Sequence, residues 1–198
     1  MLLDGEETMA VEVAAARRLF TREEYHRMGE VGILKRSDHV ELIKGEIVKM
    51  SPMGRRHRAF VTNLSHLLIV RLDGRAVVSV QMSLALSGDT EPEPDLAIYR
   101  LRTDVPYKER EPYAEDTVHL IEVAESSLAY DRTTKMRLYA EAGIPEYWVV
   151  DCVAESIEIY RTPHAGGYRD VSRVSGASAT VTLQAFPDVT LTLAEVFA

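Results

Sequence analysis

The stretch Thr117 to Asp151, TVHLIEVAESSLAYDRTTKMRLYAEAGIPEYWVVD, decides the architecture and reads as a strand, a short loop, a helix and a second strand. Val118 to Ala124 is apolar on both alternating faces except at His119 and Glu122, the pattern of a strand covered on both sides. Asp131 is a good helix N-cap, and Gly143 with Pro145 just beyond is a stop, so a helix is expected between them. Counting i, i+3, i+4 and i+7 puts Lys135, Leu138, Tyr139 and Ala142 on one inward stripe. Glu122 is then a carboxylate among apolar residues and Lys135 an ammonium turned toward the sheet. Each requires a partner, because an unpaired buried charge is too costly to keep. They form a structural ion pair that docks the helix, with the Lys135 stem reaching to the rim, or they share a metal site.

Upstream, Thr21 and Glu24 form a capping box that starts a helix at Arg22 and ends it near Gly29 or Gly32. HVELIKGEIVKM reads as a hairpin turning at Lys44-Gly45, which places Ile43 opposite Glu46 and Glu41 opposite Val48, all on one face. Past the breakers Ser51-Pro52 and Gly54, a helix is expected from about Arg55 to Leu72, with His57 one turn ahead of the apolar stripe Phe60, Val61, Leu64, Leu67 and Leu68. Arg55, Arg56, His57 and Arg58 make a basic patch at its N-terminus that suits a phosphate, although such clusters are commonly solvated surface. Ala76 to Val80 and Met82 to Leu86 read as a strand pair or one bent strand. Pro92 and Pro94 forbid helix, and Asp95 opens a strand through Tyr99. Leu101 to Asp116, with Arg100, Arg102, Lys108 and Arg110, reads as a mobile loop. Beyond Asp151, short strands over Ser156–Tyr160, Tyr168–Val174, Thr180–Leu183 and Val189–Leu193 suggest an antiparallel extension.

The chain of 198 residues is expected to hold a flexible N-terminus, residues 1–19, and a single domain, residues 20–198. A net charge of −8 argues against coating nucleic acid by bulk electrostatics and leaves room for a local basic patch. The lone Cys152 has no disulfide partner and no second thiol for a zinc site, and it reads as a small hydrophobe at a strand end in a protein of the cytoplasm. No signal peptide is recognised at the start, and the longest apolar run, Leu67 to Val70, is too short to span a bilayer.

Asp95 opens one strand, Glu122 lies on the next, and Lys135 sits on the inward face of the following helix. Two carboxylates on neighbouring strands suit a hard cation such as Mg²⁺, which keeps several waters for a phosphate substrate. A nearby ammonium can position the attacking water and offset charge in the transition state. The set is the minimal equipment for metal-assisted phosphodiester cleavage.

VELIKGEIVKMSP, then His57, then PEPDLAIY, then IEVAESSLAYDRTTKMRLYAEAGIPEYWVVD resemble in that order the Uma family of restriction endonucleases, a branch of the PD-(D/E)xK nuclease superfamily. The resemblance runs from about Phe20 to Phe197. Pro94-Asp95 resembles the PD element and Glu122 the acidic residue of (D/E)xK. The lysine expected two residues after Glu122 is absent, since that position is Ala124; Lys135, on the inward stripe, is the residue placed to serve. The superfamily also draws a glutamate from an early element, for which Glu46 is the first choice and Glu41 the second. His57 resembles a histidine typical of the family. The resemblance implies an α/β fold of mixed α+β type with a restriction-endonuclease-like core: a central mixed β-sheet flanked by helices, Asp95 and Glu122 on adjacent strands, and extra antiparallel strands at the N-terminal hairpin and the C-terminal tail.

The function implied is a Mg²⁺- or Mn²⁺-dependent DNA endonuclease that hydrolyses phosphodiester bonds by direct attack of metal-activated water. Asp95 and Glu122 would bind metal, Lys135 would orient the hydroxide, Glu46 would complete the shell, and Arg55, Arg56, His57 and Arg58 would meet phosphates. A homodimer is expected because cutting both strands of a duplex calls for two sites. The alternative is a catalytically silent scaffold that binds nucleic acid or protein, with the acidic cluster a structural network. A serine hydrolase is disfavoured, since no glycine-flanked nucleophile elbow surrounds Ser126 or Ser127.

Overall fold

The structure, a computed structural model, describes residues 17–198; of the flexible N-terminus expected over residues 1–19, all but Arg17, Arg18 and Leu19 lie outside the described residues. Helix α1 (Arg22–Glu30) starts at the predicted capping box, with Thr21 accepting from the Glu24 backbone and Glu24 reaching back to the Thr21 N–H. Strands β1 (Val40–Ile43) and β2 (Glu46–Lys49) pair in the predicted register, Ile43 opposite Glu46 and Glu41 opposite Val48. Helix α2 (Arg55–Leu72) follows. Strands β3 (Ala76–Val80), β4 (Leu96–Arg100), β5 (Thr117–Ala124), β6 (Glu146–Asp151), β7 (Ser156–His164) and β8 (Gly167–Ser175) lie side by side in that order in one six-stranded sheet.

The sheet is mixed: β5 and β6 are parallel and every other neighbouring pair is antiparallel. A parallel pair needs a crossover, which here is helical: α3 (Leu128–Tyr130), a π-helical turn (Asp131–Lys135) and α4 (Met136–Glu141). Every residue of β5 and β6 is buried, because both sheet faces are covered at this point. On one face α2 packs Phe60, Leu64 and Leu68 against Ile98, Ile121, Val123 and Trp148, together with the hairpin β9 (Thr180–Leu183) and β10 (Phe186–Thr192) and the closing helix α5 (Leu193–Val196). On the other, α4 lays Tyr139 and Ala140 over Ala97, Leu120, Tyr147 and Val149. Cys152 is buried at the end of β6, as a small hydrophobe would be. The central mixed sheet with flanking helices is the expected fold class.

Three expectations need correction. The helix begins at Leu128, and Asp131 does not cap it: the Asp131 carboxylate accepts from Ser127 Oγ at 2.6 Å, one turn back. Met82 to Leu86 is not a strand, because Gln81 turns left-handed at φ 49° and ends β3. The segment after β4 is tied down, with Arg102 donating two hydrogen bonds to Asp116, at 3.0 and 2.8 Å, and Arg110 reaching Glu115 and Asp116. The antiparallel extension expected in the tail is present: β7 and β8 continue the central sheet, and β9 and β10 form a separate hairpin.

Candidate active site

β4 and β5 run antiparallel with Leu96 opposite Ile121, so Asp95, just ahead of β4, comes to rest beside Glu122. The Asp95 backbone N–H lies 3.3 Å from Glu122 Oε2. The crossover returns over this point and lowers Lys135 between two carboxylates, its Nζ 2.6 Å from Glu41 Oε1 and 3.1 Å from Glu122 Oε1. Tyr139, one turn on, donates its hydroxyl to the same Glu122 Oε1 at 2.6 Å. Glu41, Glu122 and Lys135 are all at most 5% exposed. The π turn that carries Lys135 is pinned from the sheet by Tyr147, whose hydroxyl donates to the Asp131 carbonyl at 3.2 Å. π turns of this kind are frequent at functional sites.

Glu41 is held from behind. β1 is bridged to Glu91 through Leu42, and the Glu93 backbone N–H donates to Glu41 Oε1 at 2.7 Å. Asp95 is held more tightly still: Oδ2 accepts from the Val123 N–H and from His57 Nε2, both at 2.9 Å, and Oδ1 accepts from the Gln81 amide at 3.1 Å. Glu41, His57, Gln81, Asp95, Glu122 and Lys135 line a cavity of about 850 Å³ between the β1–β2 hairpin, the start of α2 and the loop after β5.

The electrostatics follow from burial around one cation. Burial pulls the Lys135 ammonium down, but Glu122 and Glu41 outweigh it and hold it charged beyond the ordinary lysine range. Burial pushes Glu122 up to about 8; Lys135 pulls the other way and Asp95 adds to the push. Burial also opposes charge on His57, but the hydrogen bond to Asp95 and its charge raise the imidazole above its ordinary value. Asp131 is pushed up to about 6 by burial, against the Ser127 hydroxyl.

Asp95, Glu122 and Lys135 are therefore brought together, and Glu46 is not. Glu46 stands beside the hairpin turn, half exposed and paired with Arg17 at 2.7 Å. Both glutamates share a face of the hairpin, but only Glu41 meets Lys135 on the crossover. His57 is not part of the surface patch either; it turns inward to Asp95, while Arg55, Arg56 and Arg58 are exposed around it. Sequence reading missed Gln81, Tyr139 as a hydrogen-bond donor, and Glu125, whose Oε2 is buried in the cavity wall without a partner. Tyr139 lay on the predicted inward stripe, four residues after Lys135, and could have been found there.

A family model described as "Putative restriction endonuclease", Uma2, matches residues 22–194. The chain belongs to that family. Its match takes in every element from α1 to the start of α5, including all the residues of the cluster. A solved structure described as a putative nuclease belonging to DUF820, from Anabaena variabilis ATCC 29413, is similar over 90% of this chain and 97% of its own, with a TM-score of 0.73 and 15% identity, which shows a common fold. No curated protein matches the chain. Among the described residues no helix is long and apolar enough to cross a membrane.

Proposed function

We propose that the protein is a divalent-metal-dependent DNA endonuclease of the PD-(D/E)xK type, with its lysine displaced onto the crossover helix. The observation that carries this reading is Lys135 Nζ, fixed between Glu41 and Glu122 beside Asp95 at the wall of a cavity. Among the described residues no three His, Cys, Asp or Glu side chains converge on a point a metal could occupy. Asp95 and Glu122 offer carboxylate oxygens alone, and a site of two hard oxygen donors fits Mg²⁺ or Mn²⁺, which keeps waters and takes substrate phosphate for the rest of its shell.

Asp95 and Glu122 would hold the cation, which when bound polarises the scissile phosphate and acidifies water. Lys135, kept charged and immobile by its two carboxylates, donates to the attacking water and offsets the negative charge that builds on the phosphate. Glu41 takes the part expected of Glu46, as the anchor that aims the ammonium. Arg55, Arg56 and Arg58 meet the nucleic-acid backbone at the start of α2. A two-fold homodimer would supply the second active site that cutting a duplex requires.

The second reading, a silent scaffold, draws on the fact that Lys135, Glu41 and Glu122 already satisfy one another. Plasmid cleavage in Mg²⁺ or Mn²⁺ separates the two. Wild type is expected to nick, and Asp95→Ala, still folded, to lose at least about a hundredfold in rate, a loss typical of removing one catalytic group. No cleavage by either protein, or a residual rate that Asp95→Ala leaves unchanged and that therefore does not come from this site, would favour the scaffold.

A further inference from the structure

Gln81 follows the last residue of β3 with φ at 49°, a left-handed backbone that a glutamine rarely adopts. Its own N–H donates to the Asp95 carbonyl at 3.1 Å, so the turn closes the β3–β4 ladder directly against Asp95. Its side-chain amide nitrogen then lies 3.1 Å from Asp95 Oδ1 and 2.9 Å from Met53 Sδ, on the segment leading into α2. A strained backbone of this kind persists where its surroundings impose it, and such positions cluster at ligand sites.

Each carboxylate oxygen accepts along about two lone-pair directions. Asp95 Oδ2 uses both, for Val123 N–H and His57 Nε2, whereas Oδ1 uses one, for Gln81. The direction left open on Oδ1 is thus set by where the amide sits. We infer that Gln81 is a positioning residue: it fixes the rotation of the Asp95 carboxylate and aims its remaining acceptor site at the cation. This rests on the reading of Asp95 as a cation ligand.

The test is a calorimetric Mn²⁺ titration, with Tm measured alongside, on wild type, Gln81→Gly and Asp95→Ala. Glycine adopts the left-handed backbone freely, so Gln81→Gly should keep the wild-type Tm or exceed it. Its Mn²⁺ affinity should nevertheless fall about 10- to 100-fold, as on removing a residue that orients a ligand. Gln81→Gly binding Mn²⁺ within twofold of wild type, while Asp95→Ala abolishes binding, would overturn the role of Gln81 and leave the metal site standing. A Tm that falls together with the affinity would mark Gln81 as a structural residue and also overturn it. Binding that survives Asp95→Ala, or is absent in wild type, would remove the metal reading and this inference with it.

Discussion

Lys135 has two carboxylates within reach. Glu122 and Glu41 together keep the ammonium charged; Glu41 makes the shorter bond and is itself held by the Glu93 backbone, whereas Glu122 is pushed up by burial. A second buried group, away from the site, has the opposite titration. His119 is enclosed beside Trp148, with ring centroids 4.4 Å apart, both ring nitrogens lack a hydrogen-bond partner, and burial pushes it down to about 4. Its stabilising effect is complete above the unfolded value near 6.5 and is lost as pH falls from there toward 4, because the unfolded chain takes the proton first. Glu122 acts the other way: its folded value is raised, so its stabilising effect is present at low pH and is lost as pH rises through about 8. The two oppose one another in wild type, and substitution separates them. Urea midpoints at pH 7 and pH 5 should show His119→Phe gaining about 2 kcal/mol relative to wild type on acidification; a difference independent of pH would contradict the assignment.

At the scale of the element, the hairpin β1–β2 delivers Glu41, and its turn is fixed from outside. Gly45 has φ at 77°, its N–H donates to the Asp89 carbonyl at 2.7 Å, and its carbonyl accepts from Phe20 at 2.9 Å. A Cβ there would stand 2.6 Å from Leu19 Cβ and 3.2 Å from the Phe20 backbone. Gly45→Ala should therefore lower stability by about 1–2 kcal/mol by chemical denaturation, from the left-handed backbone and the clash together; an unchanged midpoint would show that the turn relaxes freely. The hairpin and its register were legible because a Lys-Gly turn between two apolar runs leaves little choice. The inward placement of Lys135 was legible because helical periodicity survives a π turn at that point. What decided between Glu41 and Glu46 was not in the pattern, since alternation puts both on one face and only the docking of the hairpin onto Glu91 separates them. Gln81 carried no signal either: a left-handed glutamine is imposed by its tertiary setting, not by local preference.

Across the whole molecule the charge is −8, and many of its cations are already engaged. Arg102 and Arg110 close on Asp116, Arg132 on Glu158, and Arg22 on Glu91 and Glu111. Lys49 and Arg58 border the cavity, Arg55 and Arg56 stand exposed beside it, and among the described residues these four make no side-chain ion pair. Four phosphate contacts would give log K for duplex DNA a slope of about −3.6 against log salt, and Arg55→Ala with Arg56→Ala should flatten it by about 1.8. Binding measured in Ca²⁺ across a salt series checks this, and a slope unchanged by the double substitution would place the nucleic acid elsewhere.

The measurement that bears most directly on the account is the rate of Mn²⁺-dependent plasmid nicking by Glu41→Gln and Glu46→Gln beside wild type. Glu41 grips the Lys135 ammonium, whereas Glu46 lies out at the hairpin turn against Arg17. Glu41→Gln is expected to lose about a hundredfold or more, with Glu46→Gln within about twofold of wild type, because only an interaction strengthened in the transition state alters the chemical step. Equal rates for Glu41→Gln and wild type, or a loss confined to Glu46→Gln, would contradict the site described.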